Sequence, residues 1–460
     1  MTATDAPPPG RVLAEFAAGL GIEAIPPRTR ERVKDLLLDA LASALAGVED
    51  AATTTILATA SGLMGPGSST VIGGSPMSMA GAALVNGHLI SSVSLCDVHY
   101  RSWCHLTPEV VPPALAIAGQ RESSGEELLV AIAAGCELTA RIGVGLNYPA
   151  FHARGWNTSG VAGVFGAAAS AGKLLGLDGD QLTHALGIAG AQAAGSDAHR
   201  GTQTVRFLQP RAALSGLMAA DLAAGGFTAM SDVLTQPTGG VYYTHSDGGT
   251  PSAALAELGE RWELEDVWLT PWPLALLARN VVNTILDLAE RTDAWPEDIS
   301  SARLSISPRA YELYGTMDFD TESRAKTSPR YLVSIVLHDR SCDAEQFGPE
   351  RRSDASVVGF ARKHVEVVSD SGLAERAVRA ELTIAAPVIS RRARVSKFSS
   401  ASRGALGGNA SCQMRRRSGT PGRGKCTTTW KRRTNAESIW SFTLLARITK
   451  PRELSRRCKR

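Results

Sequence analysis

The sequence predicts a mainly α protein with an additional α+β part, in which a large all-helical domain precedes a smaller α+β lid domain. Three observations predict this fold class. Apolar residues recur at i, i+3, i+4 and i+7 through much of the first half of the chain. Short β-branched runs appear after about residue 262. The chain has 460 residues, 44% of them hydrophobic, which allows a large core and two or three domains.

The predicted all-helical domain covers residues 1–265. Two amphipathic helices in residues 11–48 are separated by a loop that contains two prolines. Residues 125–146 predict another long helix. Because small residues let helices approach each other closely, we expect tight packing of three segments dense in Ala and Gly: SGVAGVFGAAASAGKLLGL, DQLTHALGIAGAQAAG and PRAALSGLMAADLAAGG.

The predicted smaller α+β domain covers residues 266–387. Helical stretches such as NVVNTILDLAER alternate here with short runs rich in β-branched residues. Such runs predict strands, and there are four of them: ARLSIS, YLVSIVL, HVEVVS and RAELTIA.

Residues 388–460 form a basic tail without helical or strand periodicity. The tail contains 20 Lys and Arg residues but two acidic residues, a net charge of about +18, whereas the rest of the chain carries about −15. Our preferred interpretation is a reading-frame error upstream of the tail. The alternatives are a basic disordered arm that binds nucleic acid or anionic surfaces and ordinary disorder. The tail lacks the recurring aromatic residues of a stacking platform. We therefore do not expect nucleic acid as a partner.

Cysteine usage and hydropathy predict a cytoplasmic protein. The seven cysteines have no regular spacing, as expected for free thiols in a reducing compartment. The sequence contains no uncharged run of about 20 apolar residues, so we predict no membrane span. The first residues, MTATDAPPPGR, lack the apolar stretch of a secretory signal.

The segment from residue 86 to 119, NGHLISSVSLCDVHYRSWCHLTPEVVPPALAIAG, carries most of the candidate chemistry. It places Asp97, His99 and His105 close together before an apolar, helix-like run. Titratable groups at the start of a buried helix are a common way to build an acid/base site. Asp97 and His99 could also bind a divalent ion, but two ligands without a third are a weak signal, and we expect no metal. The remaining alternative is that Asp97 and His99 belong to a turn with a purely structural role.

Five ordered blocks of the sequence resemble the MmgE/PrpD family, and together they span most of residues 12–386. The segment just described resembles the family pattern NGxxxHxxDFDDxH…HPS…PAALAxAE. The five blocks are DLLLDALASALAG, SGEELLVAIAAGCELTARIG, GWNTSGVAGVFGAAASAGKLLGLDGDQLTHALGIAGAQAAG, GTQTVRFLQPRAALSGLMAADLAAGGFTA and AKTSPRYLVSIVLHD.

The resemblance implies a cofactor-independent lyase that acts on a small carboxylic acid. Its chemistry would be abstraction of a proton next to a carboxylate, most commonly in a dehydration of the 2-methylcitrate dehydratase type. Epimerisation or decarboxylation on the same scaffold, and a non-catalytic homologue with a decayed site, are the alternatives. The resemblance also implies a homodimer with the site in the cleft between the two domains.

The resemblance further implies the roles of individual residues. His105 would be the main acid/base, Asp97 and His99 would support it, and Tyr331 would close over the site. The implied substrate-binding residues are Thr107, Asn157, Arg206, Lys326 and Ser328. Each has a structural alternative: His105 could be a buried structural histidine, Thr107 a helix cap, Arg206 a solvated side chain, and Tyr331 part of the core.

Several positions depart from the family pattern. Ser94 replaces an aspartate, Asn157 a histidine, Val205 a lysine, Leu208 a histidine and Thr270 a second lysine. Asn157 can form hydrogen bonds but cannot shuttle a proton near neutral pH. Because the lost lysines would have held carboxylates, the departures indicate either a less charged substrate than a tricarboxylate or an inactive relative.

Overall fold

The computed structural model describes residues 6–199, 202–269, 272–274, 276–374, 377–384 and 396–402. These residues belong to one compact unit that extends to Gly404. The basic tail predicted for residues 388–460 lies outside the described residues, apart from 396–402. The predicted domain boundaries therefore remain predictions.

The first part of the chain is helical, as the sequence predicts. Its 3₁₀ turns include Asp197–His199 and Glu263–Asp266. Its helices are α1 (Pro9–Gly19), α2 (Pro27–Gly47), α3 (Thr53–Met64), α4 (Met79–Ser92), α5 (Thr107–Arg121), α6 (Gly125–Gly145), α7 (Tyr148–Ala153), α8 (Thr158–Leu175), α9 (Gly179–Gly190), α10 (Thr204–Ala224), α11 (Val241–His245) and α12 (Pro251–Leu255).

Helices α6, α8 and α10 pack tightly, and small residues make this possible. A Cβ added at Gly166 of α8 would lie 2.4 Å from the Gly135 carbonyl oxygen of α6. A Cβ added at Gly216 of α10 would lie 2.3 Å from the Cβ of Ala167. Neither position has room for a side chain, so the close packing predicted from the Ala/Gly-rich segments is confirmed.

A buried ion pair fixes the end of the helical part. Arg141 Nε donates to Glu137 Oε1 one turn earlier on α6 (2.6 Å). Glu137 also accepts from the backbone N–H groups of Glu263 (3.0 Å) and Leu264 (3.1 Å). Because buried charges need such partners, this pair anchors the chain just before it leaves the helical core.

The second part mixes helices with a sheet. The helices are α13 (Leu276–Thr292), α14 (Pro308–Ala310), α15 (Glu322–Ala325), α16 (Pro329–Asp339), α17 (Pro349–Arg352) and α18 (Ala355–Lys363), with a π-helical turn at Tyr311–Gly315. The strands are β3 (Ile299–Ile306), β4 (Val365–Ser369), β5 (Val378–Ile384) and β6 (Ser396–Ser402). In the helical part, β1 (Val98–His99) pairs antiparallel with β2 (Val267–Trp268).

The four-stranded sheet has the order β4-β3-β5-β6. Strand β3 pairs parallel with β4 and antiparallel with β5, which in turn pairs antiparallel with β6. Strands β3, β4 and β5 confirm three of the four predicted β-branched runs. Strand β6 lies in the segment where the sequence shows no strand periodicity, so the sequence analysis missed it.

The run YLVSIVL is a helix, and its prediction as a strand is wrong. Pro329 stands in the first turn of α16, where a fixed φ and a missing N–H favour helix initiation. The positions from Tyr331 to Leu337 are all buried. Because α16 is enclosed on every side by the smaller core, its sequence shows a continuous apolar run, which periodicity cannot distinguish from a buried strand.

The described residues contain two hydrophobic clusters. One extends along the sequence from Leu13 to Val267 and the other from Leu274 to Leu382. One described helix, Gly125–Gly145, is long and apolar enough to cross a membrane, but 83% of its most apolar window is buried inside the protein. A core helix passes the same test of length and composition.

Candidate active site

A cleft of about 240 Å³ lies between the helical core and the smaller core. This volume is slightly below the usual range for small-molecule sites, about 300–1,000 Å³. Its helical wall includes Ser94, Cys96, Trp103, His105, Tyr148, His152, Asn157, Ser159, Asp197, Val205, Arg206 and Gln209. Its other wall includes Arg279, Arg309, Tyr314, Met317, Lys326 and Thr327.

His105 is half-buried in this cleft, and its ring is oriented by the backbone. Its Nδ1 donates to the carbonyl oxygen of Asp97 at 2.5 Å, and Cys96 Sγ lies 3.4 Å from the same nitrogen. The backbone N–H of His105 donates to Ser159 Oγ (2.9 Å). Because a carbonyl oxygen can only accept, the Nδ1 proton is fixed and Nε2 is left to exchange protons.

The Asp97 carboxylate caps α5 and is fully buried. It accepts from the backbone N–H groups of Leu106 (2.9 Å) and Thr107 (3.0 Å) and from the Thr107 hydroxyl. A carboxylate at a helix N-terminus is favourable because it satisfies orphan N–H groups and faces the positive end of the helix dipole. Asp97 and Thr107 therefore hold His105 in place and do not line the cleft.

His99 is also fully buried behind the cleft wall. Its Nδ1 lies 2.8 Å from Ser102 Oγ, and its Nε2 lies 3.3 Å from the buried Glu263 carboxylate. Glu263 additionally pairs with Arg101. These contacts join the segment containing β1 to the segment leading into β2, so the contribution of His99 is structural support.

Tyr331 and Ser328 lie outside the cleft, which corrects their expected contact with substrate. Tyr331 is fully buried in the smaller core and its hydroxyl donates to the Gln346 carbonyl oxygen (2.5 Å). Ser328 is fully buried and donates to the Met317 carbonyl oxygen (2.7 Å). Their hydroxyl donors are therefore already engaged by backbone carbonyls inside the fold.

Asn157, Arg206 and Lys326 do line the cleft. Asn157 caps α8, because its Oδ1 accepts from the Gly160 N–H (3.1 Å). Arg206 Nη1 donates to two carbonyl oxygens at the end of α4, both at 2.7 Å. Lys326 is largely buried and its Nζ lies 2.6 Å from Glu322 Oε1. All three side chains thus combine a structural contact with a position at the cleft.

Arg279 and Arg309 are cleft residues that the sequence analysis missed. Arg279, on α13, is 5% exposed; its Nε donates to the Leu274 carbonyl oxygen (2.8 Å), while its buried Nη1 has no hydrogen-bond partner among the described residues. Burial lowers the pKa of Arg279 to about 10, so the guanidinium stays charged at neutral pH. No spacing in the sequence marks either arginine.

The cleft is lined mainly by positive charge. Arg206, Arg279, Arg309 and Lys326 line it, against the carboxylate of Asp197. Two of the positions that depart from the family pattern, Ser94 and Val205, line the same cleft, and Leu208 is buried beside it. A further such position, Thr270, lies outside the described residues. The expectation of a less charged substrate is therefore not supported by the charges of the described cleft residues.

The sequence analysis also missed Glu109, a buried acid close to His105. It lies in the first turn of α5 and is fully buried, and neither carboxyl oxygen has a hydrogen-bond partner in the described part of the chain. Gly163 of α8 makes room for it, because an added Cβ there would lie 2.5 Å from Glu109 Cγ. Burial raises the pKa of Glu109 well above its usual value, because the charged form loses its hydration.

No group of three or more His, Cys, Asp or Glu side chains suited to a metal ion occurs in the described ranges. The four described cysteines with a buried side chain are free thiols. Burial raises the pKa of the Cys96 thiol to about 12, so it is a neutral neighbour of His105.

Three curated proteins are similar to this chain in sequence. Cis-aconitate decarboxylase of Aspergillus terreus (strain NIH 2624 / FGSC A1156) is 29% identical over 359 residues, 73% of each chain. The cis-aconitate decarboxylase-like protein oryM of Aspergillus oryzae (strain ATCC 42149 / RIB 40) is 33% identical over 285 residues, 58% of this chain and 59% of that one. Human cis-aconitate decarboxylase is 29% identical over 239 residues, 49% and 48%.

The family assignment follows from a family-model match over more than half of the chain. The family model described as the MmgE/PrpD N-terminal domain matches residues 11–254, which cover α2–α11, most of α1 and α12, and the helical wall of the cleft. The resemblance found in the five sequence blocks is confirmed, and the chain belongs to the MmgE/PrpD family.

Proposed function

We propose that this protein is a lyase that removes CO₂ from a small unsaturated polycarboxylic acid such as cis-aconitate, with His105 as the proton donor. The observation that carries the proposal is the placement of one oriented imidazole, His105, in a cleft whose two walls carry four cations. The decarboxylase names of the curated relatives support this choice of reaction over the dehydration that we expected from the sequence.

The chemistry requires two contributions from the protein. When CO₂ leaves, the carbon–carbon bond breaks and its electron pair stays on the substrate, where the double bond delocalises it into a remaining carboxylate. Nearby cations stabilise this developing negative charge. Arg279 is suited to this task, because its Nη1 is buried and unpaired among the described residues.

The electron pair must then receive a proton at carbon. His105 as an imidazolium can give the proton from Nε2, because the Asp97 carbonyl oxygen holds the Nδ1 proton. The imidazole becomes neutral and regains its proton from solvent. Asp97 takes part as a positioning residue and needs no contact with the substrate.

Dehydration is the second candidate function, and one observation favours it. An elimination of water needs a base and an acid, and a second imidazole, His152, lines the cleft together with His105. A hydroxylated tricarboxylate such as citrate or 2-methylcitrate would be the corresponding substrate. A non-catalytic homologue is the outcome if neither class of acid reacts.

Proton NMR in D₂O tests the proposal directly. The purified full-length chain is mixed separately with cis-aconitate, citrate and 2-methylcitrate, and the spectra are followed over time. We expect cis-aconitate to give a new pair of vinyl signals with loss of CO₂, and His105→Gln to lower the rate by about 10²-fold or more. A folded protein that converts none of the three acids, or a His105→Gln variant with full turnover, would contradict it.

Assembly and location remain separate proposals. The family resemblance favours a homodimer, and the irregular spacing of the cysteines favours a reducing compartment such as the cytoplasm. We propose both for this chain, and the dimer leads to a specific test in the Discussion.

A further inference from the structure

The cleft continues into a second cavity on its outer side. This outer pocket has a volume of about 720 Å³ and is more open to solvent than the cleft. The two cavities share five lining residues, which are Tyr148, His152, Asp197, Arg309 and Leu313. Because the same side chains border both spaces, a molecule held in the cleft has room to extend into the outer pocket.

Three stacked rings run from the cleft to the outer pocket. The Trp103 ring lines the cleft and stacks on Tyr148, with centroids 5.0 Å apart and an angle of 14° between the planes. Tyr148 in turn stacks on His152 at 5.2 Å and 8°, and these two rings line both cavities. Aromatic side chains provide large, rigid apolar contact surfaces. The stack therefore forms a continuous wall suited to a hydrocarbon group.

The backbone of Trp103 has an unfavourable conformation. Its φ is +59°, in the left-handed region that bulky residues rarely adopt. The Trp103 N–H donates to the His99 carbonyl oxygen (3.0 Å), and its carbonyl oxygen accepts from Thr158 Oγ1 (2.9 Å). Such strain persists where surrounding contacts enforce it, and it is concentrated at ligand sites. The conformation thus supports a binding role for this ring.

The outer pocket differs from the cleft in chemical character. Its wall residues beyond the shared ones include three small apolar residues: Pro149, Ala153 and Ala198. Its polar wall residues beyond the shared ones are Arg154 and Ser196, and Arg154 Nη1 donates to two backbone carbonyl oxygens, at 3.1 and 3.5 Å. Of the four cations described in the cleft, Arg309 also borders the outer pocket. The carboxylates of a ligand therefore belong in the cleft and an apolar group in the outer pocket.

Arg309 and Leu313 form the boundary between the cavities on the side of the smaller core. Leu313 lies in the π-helical turn Tyr311–Gly315, an irregularity that occurs frequently at functional sites. Arg309 Nη2 lies 3.1 Å from His152 Nε2, and its Nη1 pairs with Glu312 Oε2 at 2.7 Å. Because both ends of the guanidinium are engaged, the apolar stem of Arg309 borders the passage together with Leu313.

We propose that the outer pocket is a specificity site, which takes an alkyl substituent longer than a methyl group on the polycarboxylic acid held in the cleft. The substrate class is then an alkyl-substituted unsaturated polycarboxylate, with its carboxylates facing the cations and its chain lying along Tyr148 and Leu313 towards Ala153. The proposal rests on the proposed function for the reaction, whereas the apolar contact itself does not depend on any reaction.

The binding test compares succinate, 2-methylsuccinate and 2-butylsuccinate on the full-length chain by isothermal titration calorimetry. Each methylene removed from water should tighten binding about two- to fourfold, so that 2-butylsuccinate binds at least about tenfold more tightly than succinate. The heat capacity change of binding should also be more negative for 2-butylsuccinate, because apolar surface is buried. A gain that is complete with the methyl group, or no gain at all, would overturn the proposal.

Ala153→Trp tests whether the chain lies in the outer pocket. Ala153 is an exposed residue at the end of α7 that lines the outer pocket, so an indole there fills the pocket without disturbing the core. We expect this variant to lose the tenfold advantage of 2-butylsuccinate and to keep the affinity for succinate within about twofold. Ala58→Trp is the matched control, since Ala58 is an exposed alanine on α3, and it should behave as wild type.

The same measurements separate this proposal from the proposed function. If 2-butylsuccinate gains affinity and Ala153→Trp removes the gain, the specificity site stands even where cis-aconitate is not decarboxylated. If cis-aconitate is decarboxylated but the butyl chain adds no affinity, the lyase stands and the specificity site is wrong. A gain that persists in Ala153→Trp places the chain elsewhere on the protein and likewise overturns the proposal.

Discussion

At the scale of single residues, the cleft combines a buried cation, Arg279, with the oriented imidazole of His105, and a buried acid, Glu109, stands four residues after His105. Glu109 and Arg279 are the most unusual of these, because each has a buried polar atom without a partner in the described part of the chain. Such groups cost stability in a folded protein. We therefore expect substitutions of Glu109 and Arg279 to affect stability and activity differently, and each residue gives a prediction.

Glu109→Gln should stabilise the protein at neutral and alkaline pH. Burial raises the pKa of Glu109 in the folded state above its usual 4.5, so the folded state binds the proton more tightly than the unfolded state. The wild type then loses about 1.4 kcal/mol per pH unit as the pH rises from 4.5 towards the folded-state pKa. Glutamine, neutral at every pH, avoids this loss.

Urea unfolding of wild type and Glu109→Gln between pH 4 and pH 8 measures this effect. The difference in unfolding free energy should increase in favour of the variant as the pH rises, and it should be smallest near pH 4. The exposed Glu126→Gln variant is the matched control, since Glu126 lies in the first turn of helix α6 and is not buried. A pH-independent difference would show that Glu109 is charged or solvated.

Arg279→Met should weaken substrate binding without loss of stability. A charge-assisted hydrogen bond between a guanidinium and a carboxylate contributes about 1.5–3 kcal/mol, so KM should rise about 10–100-fold. Methionine fills a similar volume and removes the cost of a buried, partly unpaired charge. Thermal unfolding should therefore show an unchanged or higher Tm, and a lower Tm together with an unchanged KM would refute the assignment.

At the scale of helices and strands, the start of α5 is the element that shapes the site. One aspartate, Asp97, caps this helix with its carboxylate and orients His105 with its carbonyl oxygen. The sequence predicts the proximity of Asp97 and His105 from their position before an apolar run. It does not show that the carboxylate points into the helix end, because that depends on the fold of the intervening residues.

Asp97→Ala should lower both stability and activity. The variant loses an acceptor for two backbone N–H groups and the Thr107 hydroxyl, which we expect to cost about 1–3 kcal/mol. Asp97→Asn keeps one side-chain acceptor and should cost less. Denaturant midpoints and turnover should therefore decrease from wild type to Asp97→Asn to Asp97→Ala. If Asp97→Ala is as stable as wild type, the Asp97 side chain does not cap α5.

The same scale shows where sequence patterns succeed and fail. The amphipathic pattern of residues 276–292 identifies α13 because one face of that helix remains outside the core. The run in α16 was taken for a strand because the helix is buried on all sides. Arg279 and Arg309 reach the cleft from segments far apart in sequence, and such a convergence is a property of tertiary packing that no local pattern contains.

At the scale of the whole molecule, two cores place a cationic cleft between them. The family blocks predict the helical core and the approximate position of the site. The positive charge of the cleft could not be predicted from the sequence. Arg279 and Arg309 line the cleft together with Arg206 and Lys326. They stand at different positions from the two family lysines that Val205 and Thr270 replace. The cleft therefore has a positive charge that the aligned positions alone would not suggest.

The surface of α10 gives the last prediction, which concerns assembly. Phe207, Met218 and Leu222 are 40%, 47% and 39% exposed, and their spacings of 11 and 4 residues place them along one side of the helix. Phe227 and Met230, just after α10, are 59% and 58% exposed. An exposed apolar strip of this kind is typical of a subunit interface.

Met218→Glu should therefore convert a dimer into a monomer. A glutamate in the middle of the strip would be buried against the same face of a second copy without a partner, at a cost of several kcal/mol. Sedimentation velocity at micromolar concentration should show the mass of a dimer for wild type and 48.4 kDa for the variant. Leu63→Glu is the control, because Leu63 is 78% exposed on α3 and does not belong to the strip. If Met218→Glu leaves the mass unchanged while Leu63→Glu lowers it, the interface lies on α3 and the assignment to α10 is wrong.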